Sequence, residues 1–264
     1  MFSKNIIFKN FQNKKNIKVK NKINNILKKE LIKSDLLLNS FNKNYKYSYK
    51  KEILKKYKNF DTINLIGMGG SILGTEAIYD FLNLKIKKKI NFYNNLDGKI
   101  NSKNKKKTLN LIVSKSGNTL ETISNFNVIL NSQKKNKNIV ITEKKSSFLT
   151  KLGNKLKADI IEHKNYIGGR YSVLSEVGML PVELLGLNER KFKRLNYLIK
   201  NKYFLNQLIY NVNFIFNCIS KGKKNSVILN YDESSNNLFK WYQQLTAESL
   251  GKDNKGIFPI VSSM

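Results

Sequence analysis

Short apolar runs alternate with segments of helical spacing along most of the chain. Residues 62–66 (TINLI) form one nearly continuous apolar run, and residues 72–84 then carry apolar positions at helical intervals. Further runs fall at 90–93, 109–113, 138–142 and 159–161, with helical stretches at 119–132 and 148–156. Strands that are apolar on both faces and separated by helices predict an α/β fold, a parallel sheet flanked by helices. Helical spacing dominates 175–220. A last apolar run at 226–229 precedes a helix over about 233–250, which reads as the start of a second α/β domain. The organisation expected is a basic arm (1–45), a first α/β domain (46–185), and a helical connection with the beginning of a second domain (186–264). Residues 103–107 read as a solvated, lysine-rich turn.

Composition changes this picture in one respect. A length of 264 residues accommodates one large or two modest cores. The formal net charge is +31, a value that ordinarily suggests a nucleic-acid or anionic partner. Only three of the 49 basic residues are arginine, however: Arg170, Arg190 and Arg194. Nucleic-acid sites lean on arginine for forked and stacked contacts. Lysine here accompanies asparagine and isoleucine over the whole chain, the signature of a biased, AT-rich coding sequence. No specific nucleic-acid partner is therefore expected.

The single cysteine, Cys218, has no intrachain disulfide or metal-site partner, and the single histidine, His163, cannot build a histidine-rich metal centre. No apolar run approaches the ~20 residues that span a bilayer. The N-terminal stretch has no acid before Glu30, yet it lacks the arginine of a transit peptide and has little serine. These features fit a cytoplasmic protein with no membrane association.

Four stretches could carry chemistry. SKSGNTLET (114–122) lies between an apolar run and a helix start, beyond the carboxyl end of a strand, where open parallel sheets bind ligands. Ser114, Ser116 and Thr119 offer hydroxyls, Gly117 permits a tight turn, and the helix start favours an anion. An ordinary serine or threonine helix cap is the alternative. GMGGSILG (67–74) follows the first strand and adds glycine N–H groups and the Ser71 hydroxyl. Ile72 at the third required position excludes a dinucleotide fingerprint, and no GK[ST] ending makes it a P-loop. Two such loops at neighbouring strand ends suit a small phosphorylated ligand. GGRYSVLSEVGMLP (168–181) would project Arg170 as a fixed cation suited to an oxyanion, or else into a structural ion pair. In WYQQLTAESLGKDNKG (241–256), Leu238, Trp241, Tyr242 and Leu245 form one buried stripe, while Gln244 and Glu248 share a neighbouring face at i and i+4.

These four motifs, in this order, resemble the glucose-6-phosphate isomerase (phosphoglucose isomerase) family from about residue 45 to the last residue. The resemblance implies two sugar-isomerase (SIS) domains, a hexose-phosphate substrate, no metal or organic cofactor, and a homodimer in full-length form. The family's phosphate loop falls on Ser114, Lys115, Ser116 and Thr119, with Gly70 and Ser71 beside the sugar. Gly117 and Asn118 depart from the SKTFTT form common in relatives and match the broader SxSGxT pattern of phosphosugar-binding domains. The family's arginine falls on Arg170, its catalytic base on Glu248 and its active-site glutamine on Gln244. The implied reaction is proton transfer between C1 and C2 through a cis-enediol(ate).

Family members are roughly twice this long. Their ring-opening histidine and a later lysine lie beyond GIFPIVSSM, and His163 does not match that histidine's motif. The second SIS domain is therefore expected to be incomplete, with exposed apolar surface, and the 264 residues alone weakly active or inactive. A non-catalytic phosphosugar-binding protein of the same fold would keep the hydroxyl loop without needing Arg170 or Glu248. A bifunctional phosphoglucose/phosphomannose isomerase would keep all of them.

Overall fold

The central apolar runs become parallel strands buried on both faces. The computed structural model describes residues 17–32, 35–96, 107–132, 136–253 and 255–263. Three helices, α1 (Ile17–Ile32), α2 (Leu36–Asn39) and α3 (Lys51–Lys56), precede the first strand. The first unit then runs β1 (Thr62–Ile66), α4 (Leu73–Phe81), β2 (Lys89–Tyr93), β3 (Thr108–Val113), α5 (Leu120–Ser132), β4 (Lys137–Thr142), α6 (Phe148–Lys155), β5 (Asp159–Glu162) and α7 (Glu176–Leu184). Its five strands are all parallel, in the order β2-β1-β3-β4-β5. This is the expected α/β sheet.

Alternate residues divide the core. Ile63, Leu65, Leu109, Leu111, Ile139 and Ile141 pack with Val177, Leu180 and Leu184 of α7. Ile66, Ile112 and Val140 face the other way, against Phe126 and Ile129 of α5 and Leu149 of α6. The chain order reverses between β1 and β3. Their carboxyl ends therefore open a crevice, and both glycine-and-hydroxyl loops leave the sheet there.

The strands are not purely apolar at their centres. Asn91, Asn64, Asn110 and Asn138 stand side by side in register across β2, β1, β3 and β4. Each of the first three side chains donates Nδ2 to Oδ1 of the next at 2.9 Å. Asn64 and Asn110 are fully buried. The periodicity that marks these runs as strands conceals the ladder, because an isolated asparagine in an apolar run reads as a tolerated exception.

After α7 come α8 (Leu195–Lys200) and α9 (Lys202–Ser220), then β6 (Asn225–Asn230), α10 (Asn236–Leu250) and β7 (Phe258–Ser263). β6 and β7 form a second, two-stranded parallel sheet. Val227, Leu229 and Phe258 on it are exposed. Of the expected basic arm, residues 17–32 are the helix α1, which packs on α9 with Lys20 Nζ donating to Tyr210 Oη at 2.9 Å. Residues 1–16, and most of the lysine-rich turn expected at 103–107, lie outside the described residues.

Two helix boundaries differ from the periodic reading. The helix expected over 72–84 ends at Phe81 and gives way to a 3-10 turn at Asn83–Lys85. Leu84, counted as its last apolar position, is fully exposed and has no core to face. The helix expected from 233 begins at Asn236. Before it the Asp232 side chain accepts from Ser234 N and Oγ, which holds a 3-10 turn. No helix among the described residues is long and apolar enough to cross a membrane.

Lys193 is 3% exposed. Its ammonium donates to Ser40 O at 2.8 Å and lies 4.1 and 4.4 Å from the ring centroids of Tyr45 and Tyr47. Burial pulls its pKa from 10.5 down to about 8, against the pull of Glu176 and Glu189.

Two predictions follow from this packing. Asn110→Val removes the acceptor of Asn64 Nδ2 and the donor to Asn138 Oδ1 within the buried ladder, so urea denaturation should show a loss of ~2–4 kcal/mol, whereas replacing all four ladder residues by valine should cost less. Lys193 binds its proton more weakly folded than unfolded. The unfolded chain therefore holds more protons between about 8 and 10.5, and stability rises with pH across that window. Burial and neighbouring carboxylates raise the pKa values of Tyr45, Tyr47 and Tyr49 above the ordinary 10.0, which reverses the trend once unfolded tyrosines ionise. Urea midpoints read between pH ~7.5 and ~9.5 should rise for the native chain and stay flatter for Lys193→Met.

Candidate active site

The loop after β1 turns on glycine. An added Cβ on Gly67 would lie 3.0 Å from Val113 O, which places the start of this loop against the end of β3. Gly69 adopts φ +52°, the left-handed region that glycine enters without strain. Gly70 lies so close to the turn at Gly169–Leu174 that an added Cβ would be 2.3 Å from Gly169 C and O and 2.6 Å from Arg170 N. Ser172 Oγ lies in the same contact, 3.1 Å from Gly70 O and 2.7 Å from Gly169 O. Two segments a hundred residues apart in sequence thus meet through bare backbone.

The loop after β3 is ordered by its own hydroxyls. Ser114, buried, accepts from Gly117 N at 3.1 Å, and its Oγ lies 2.8 Å from Thr119 Oγ1. Ser116 Oγ accepts from Asn118 N at 3.2 Å and is 3.4 Å from Thr119 Oγ1. Gly117 has φ +69°, and an added Cβ there would meet Ser147 Oγ at 2.2 Å. Asn118 Oδ1 accepts from Phe148 N at 2.9 Å and so ties the loop to the start of α6. Ser114, Ser116 and Thr119 therefore form one hydroxyl cluster just before the first turn of α5, whose leading N–H groups have no intrahelical acceptor. Lys115 is drawn elsewhere: its Nζ donates to Asn165 O at 2.9 Å and lies 3.7 Å from Glu143.

Helix α10 supplies the carboxylate. It packs along α4 and against the turns at Gly69–Ser71 and Gly169–Leu174. An added Cβ on Gly69 would lie 2.7 Å from Gln244 Nε2. The i, i+4 spacing brings Gln244 Nε2 to Glu248 Oε1 at 2.8 Å. Arg170 Nη1 donates to the other oxygen, Oε2, at 3.4 Å. The Glu248 side chain is 46% exposed and that of Arg170 26%, so the pair is open to a ligand and is not the buried structural ion pair considered from sequence. Gln244 Oε1 is buried without a protein donor.

Two neighbours went unassigned in the sequence reading although both lie inside quoted motifs. Ser249 Oγ accepts from Arg170 Nε at 3.0 Å and lies 2.8 Å from Tyr171 Oη. The Arg170 guanidinium sits 4.8 Å from the Tyr171 ring centroid. Hydrogen bonds from Ser249 and then Arg170 hold the Tyr171 phenol below its ordinary pKa, and the bond to Tyr171 raises that of Arg170. Adjacency to Arg170 and Glu248 was the available signal for both. His163, at the end of β5, is buried, and desolvation lowers its pKa.

The hydroxyl loop offers donors suited to an anion, and the Gly70 contact sets a carboxylate beside a guanidinium. Gly70→Ala should force backbone from backbone and cost ~1–3 kcal/mol in chemical denaturation. Gly169→Ala, whose Cβ would meet nothing within 4 Å, is the control and should stay within ~0.5 kcal/mol of the parent.

The model of the phosphoglucose isomerase family matches residues 38–257. The glucose-6-phosphate isomerase of Methanocaldococcus jannaschii is 34% identical over 80% of this chain and 56% of that protein. That of Caldanaerobacter subterraneus subsp. tengcongensis is 31% identical over 80% of this chain and 53% of that protein. The chain spans little more than half the length of these curated relatives. Among solved structures, a hypothetical protein from Thermus thermophilus superposes with a TM-score of 0.71 at 21% identity, over 93% of this chain and 64% of that one. The tagatose-6-phosphate ketose/aldose isomerase of Escherichia coli gives 0.55 at 12% identity, over 81% and 60%. The two solved structures share the fold of this chain. With the family match covering most of its length, the chain belongs to the phosphoglucose isomerase family.

Proposed function

We propose that these residues carry the substrate-binding and proton-transfer groups of an aldose–ketose isomerase that interconverts glucose 6-phosphate and fructose 6-phosphate. The observation that carries this reading is the Glu248 carboxylate, held by one donor on each oxygen, Gln244 and Arg170, beside the Gly70 loop. An ion pair this exposed contributes at most ~1 kcal/mol to folding, so stability is a poor account of it. The names of the relatives supply the substrate class.

In this reading the phosphate sits on the Ser116 and Thr119 hydroxyls and the α5 N-terminus, with Ser114 shaping the loop behind them and Lys115 reaching it only on leaving Asn165 and Glu143. Gly70 and Ser71 line the sugar. Glu248 takes the proton from C2 of the open-chain aldose and returns it to C1. Arg170 faces the oxygen that becomes negative in the cis-enediolate, where a fixed cation acts most strongly. Gln244 steadies the base, its Nε2 donating to Glu248 Oε1. Phosphate binding, remote from the reacting carbons, holds C1 and C2 in place. The whole protein works as a cytoplasmic homodimer in the same reading.

The family's ring-opening histidine has no counterpart by motif within these 264 residues, so the test should bypass ring opening. 5-Deoxyfructose 6-phosphate has no O5 to close a furanose, and its O6 is phosphorylated, so it stays open while keeping the span from phosphate to C1. In deuterium oxide the chain should exchange its C1 proton, followed by proton NMR, and Glu248→Gln should slow this by ~10²–10⁴-fold. Fructose 6-phosphate itself should react more slowly than the analogue. Equal exchange by the parent and the glutamine variant would remove Glu248 from its role.

A further inference from the structure

We propose that Ser249 is a positioning residue that aims Arg170, with Tyr171 as its support. A guanidinium carries five N–H donors in a rigid fork. In this site the Nε–H is given to Ser249 Oγ at 3.0 Å, and one Nη1–H to Glu248 Oε2 at 3.4 Å. Tyr171 holds the same serine oxygen at 2.8 Å and covers the guanidinium with its ring at 4.8 Å. Ser249 Oγ accepts from Arg170 Nε and shares a second hydrogen bond with Tyr171 Oη, so two partners hold the hydroxyl in place. The edge and one side of the guanidinium are thereby fixed, and N–H groups on the terminal nitrogens remain for a ligand.

The anchor matters because of what Arg170 would otherwise do. A free arginine beside a carboxylate tends to close a two-point fork, with two parallel N–H···O bonds. Tying Nε to Ser249 closes the side-on fork through that nitrogen, and Arg170 makes a single 3.4 Å contact with Glu248. The carboxylate then keeps lone pairs for a proton, and the cation stays beside it without neutralising it. Ser249 and Glu248 are consecutive residues at the end of α10, while Arg170 and Tyr171 are consecutive in the turn at Gly169–Leu174. The serine is the joint that sets one segment against the other. The catalytic consequence rests on the isomerase reading; the anchoring of Arg170 does not.

The small number of arginines makes the anchor observable. With nitrogen-15-labelled arginine the chain gives three Nε–H resonances, one each for Arg170, Arg190 and Arg194; loss of one in Arg170→Lys assigns it. Exchange of the Arg170 Hε with water should quicken by ~3- to 10-fold in Ser249→Ala, the fold-change of one lost hydrogen bond. It should return to the parent rate in Ser249→Thr and stay near that rate in Glu248→Gln. In the 5-deoxyfructose 6-phosphate assay Ser249→Ala should lower kcat by ~10-fold while KM moves less than ~2-fold, because an interaction used in the transition state is lost and phosphate binding is kept. Unchanged Hε exchange in Ser249→Ala, or failure of threonine to restore it, overturns the anchoring. Quickened exchange with an unaltered kcat overturns its catalytic consequence. If Glu248→Gln retains full turnover, the isomerase reading falls while the Hε result still stands or fails by itself.

Discussion

At Gly70 the loop after β1 touches the turn at Gly169 through backbone alone, and the site depends on that contact. A single Cβ on Gly70 would occupy the space of a peptide group. Because none is present, the loop can lie under the turn that carries Arg170, and Ser172 can link both carbonyls. Gly69 does the same for α10 by admitting Gln244. The three segments are far apart in sequence, and none could place a charged group to better than the looseness of its own loop. Packed without side chains between them, they hold Arg170, Gln244 and Glu248 as one constellation.

The sheet itself was legible in the residues. Each apolar run became a strand, and both glycine-and-hydroxyl loops fell at the ends of the two strands where chain order reverses. Ser114, Ser116 and Thr119 lie together in one loop, and Gln244 meets Glu248 across one helical turn, the i, i+4 face read from the sequence. What escaped the sequence depends on partners distant along the chain. Lys115 is engaged by Asn165 and Glu143, which no local pattern announces. Ser249 and Tyr171 look like motif filler until the two segments are brought face to face. Lys193 reads as one more solvated lysine in a lysine-rich chain, and only the packing of Tyr45 and Tyr47 makes it a buried one.

Division of labour also follows from the architecture. The hydroxyl loop belongs to the five-stranded sheet, whereas Glu248 arrives on a helix whose own sheet is two strands with Val227, Leu229 and Phe258 exposed. α10 is steadied from the first unit by its packing on α4, where Asn237 bonds Asp80 and the buried Glu76 faces Lys240. Desolvation raises the pKa of Glu76, with Lys240 opposing it. The carboxylate proposed as base is thus held in place largely by the unit that holds the hydroxyl loop.

The asparagine ladder has a consequence for how this sheet can change over generations. Its amides all point the same way, each giving its N–H to the strand nearer β4, so every inner member is both donor and acceptor. Mutual polarisation makes such a chain worth more than its separate links. A lone substitution in β1 or β3 damages two neighbours at once, while Asn91, at the edge, has only one bond at stake. Inner positions on different strands are consequently bound into a single heritable unit, expected to persist or to be replaced together, while the outermost rung is free to drift.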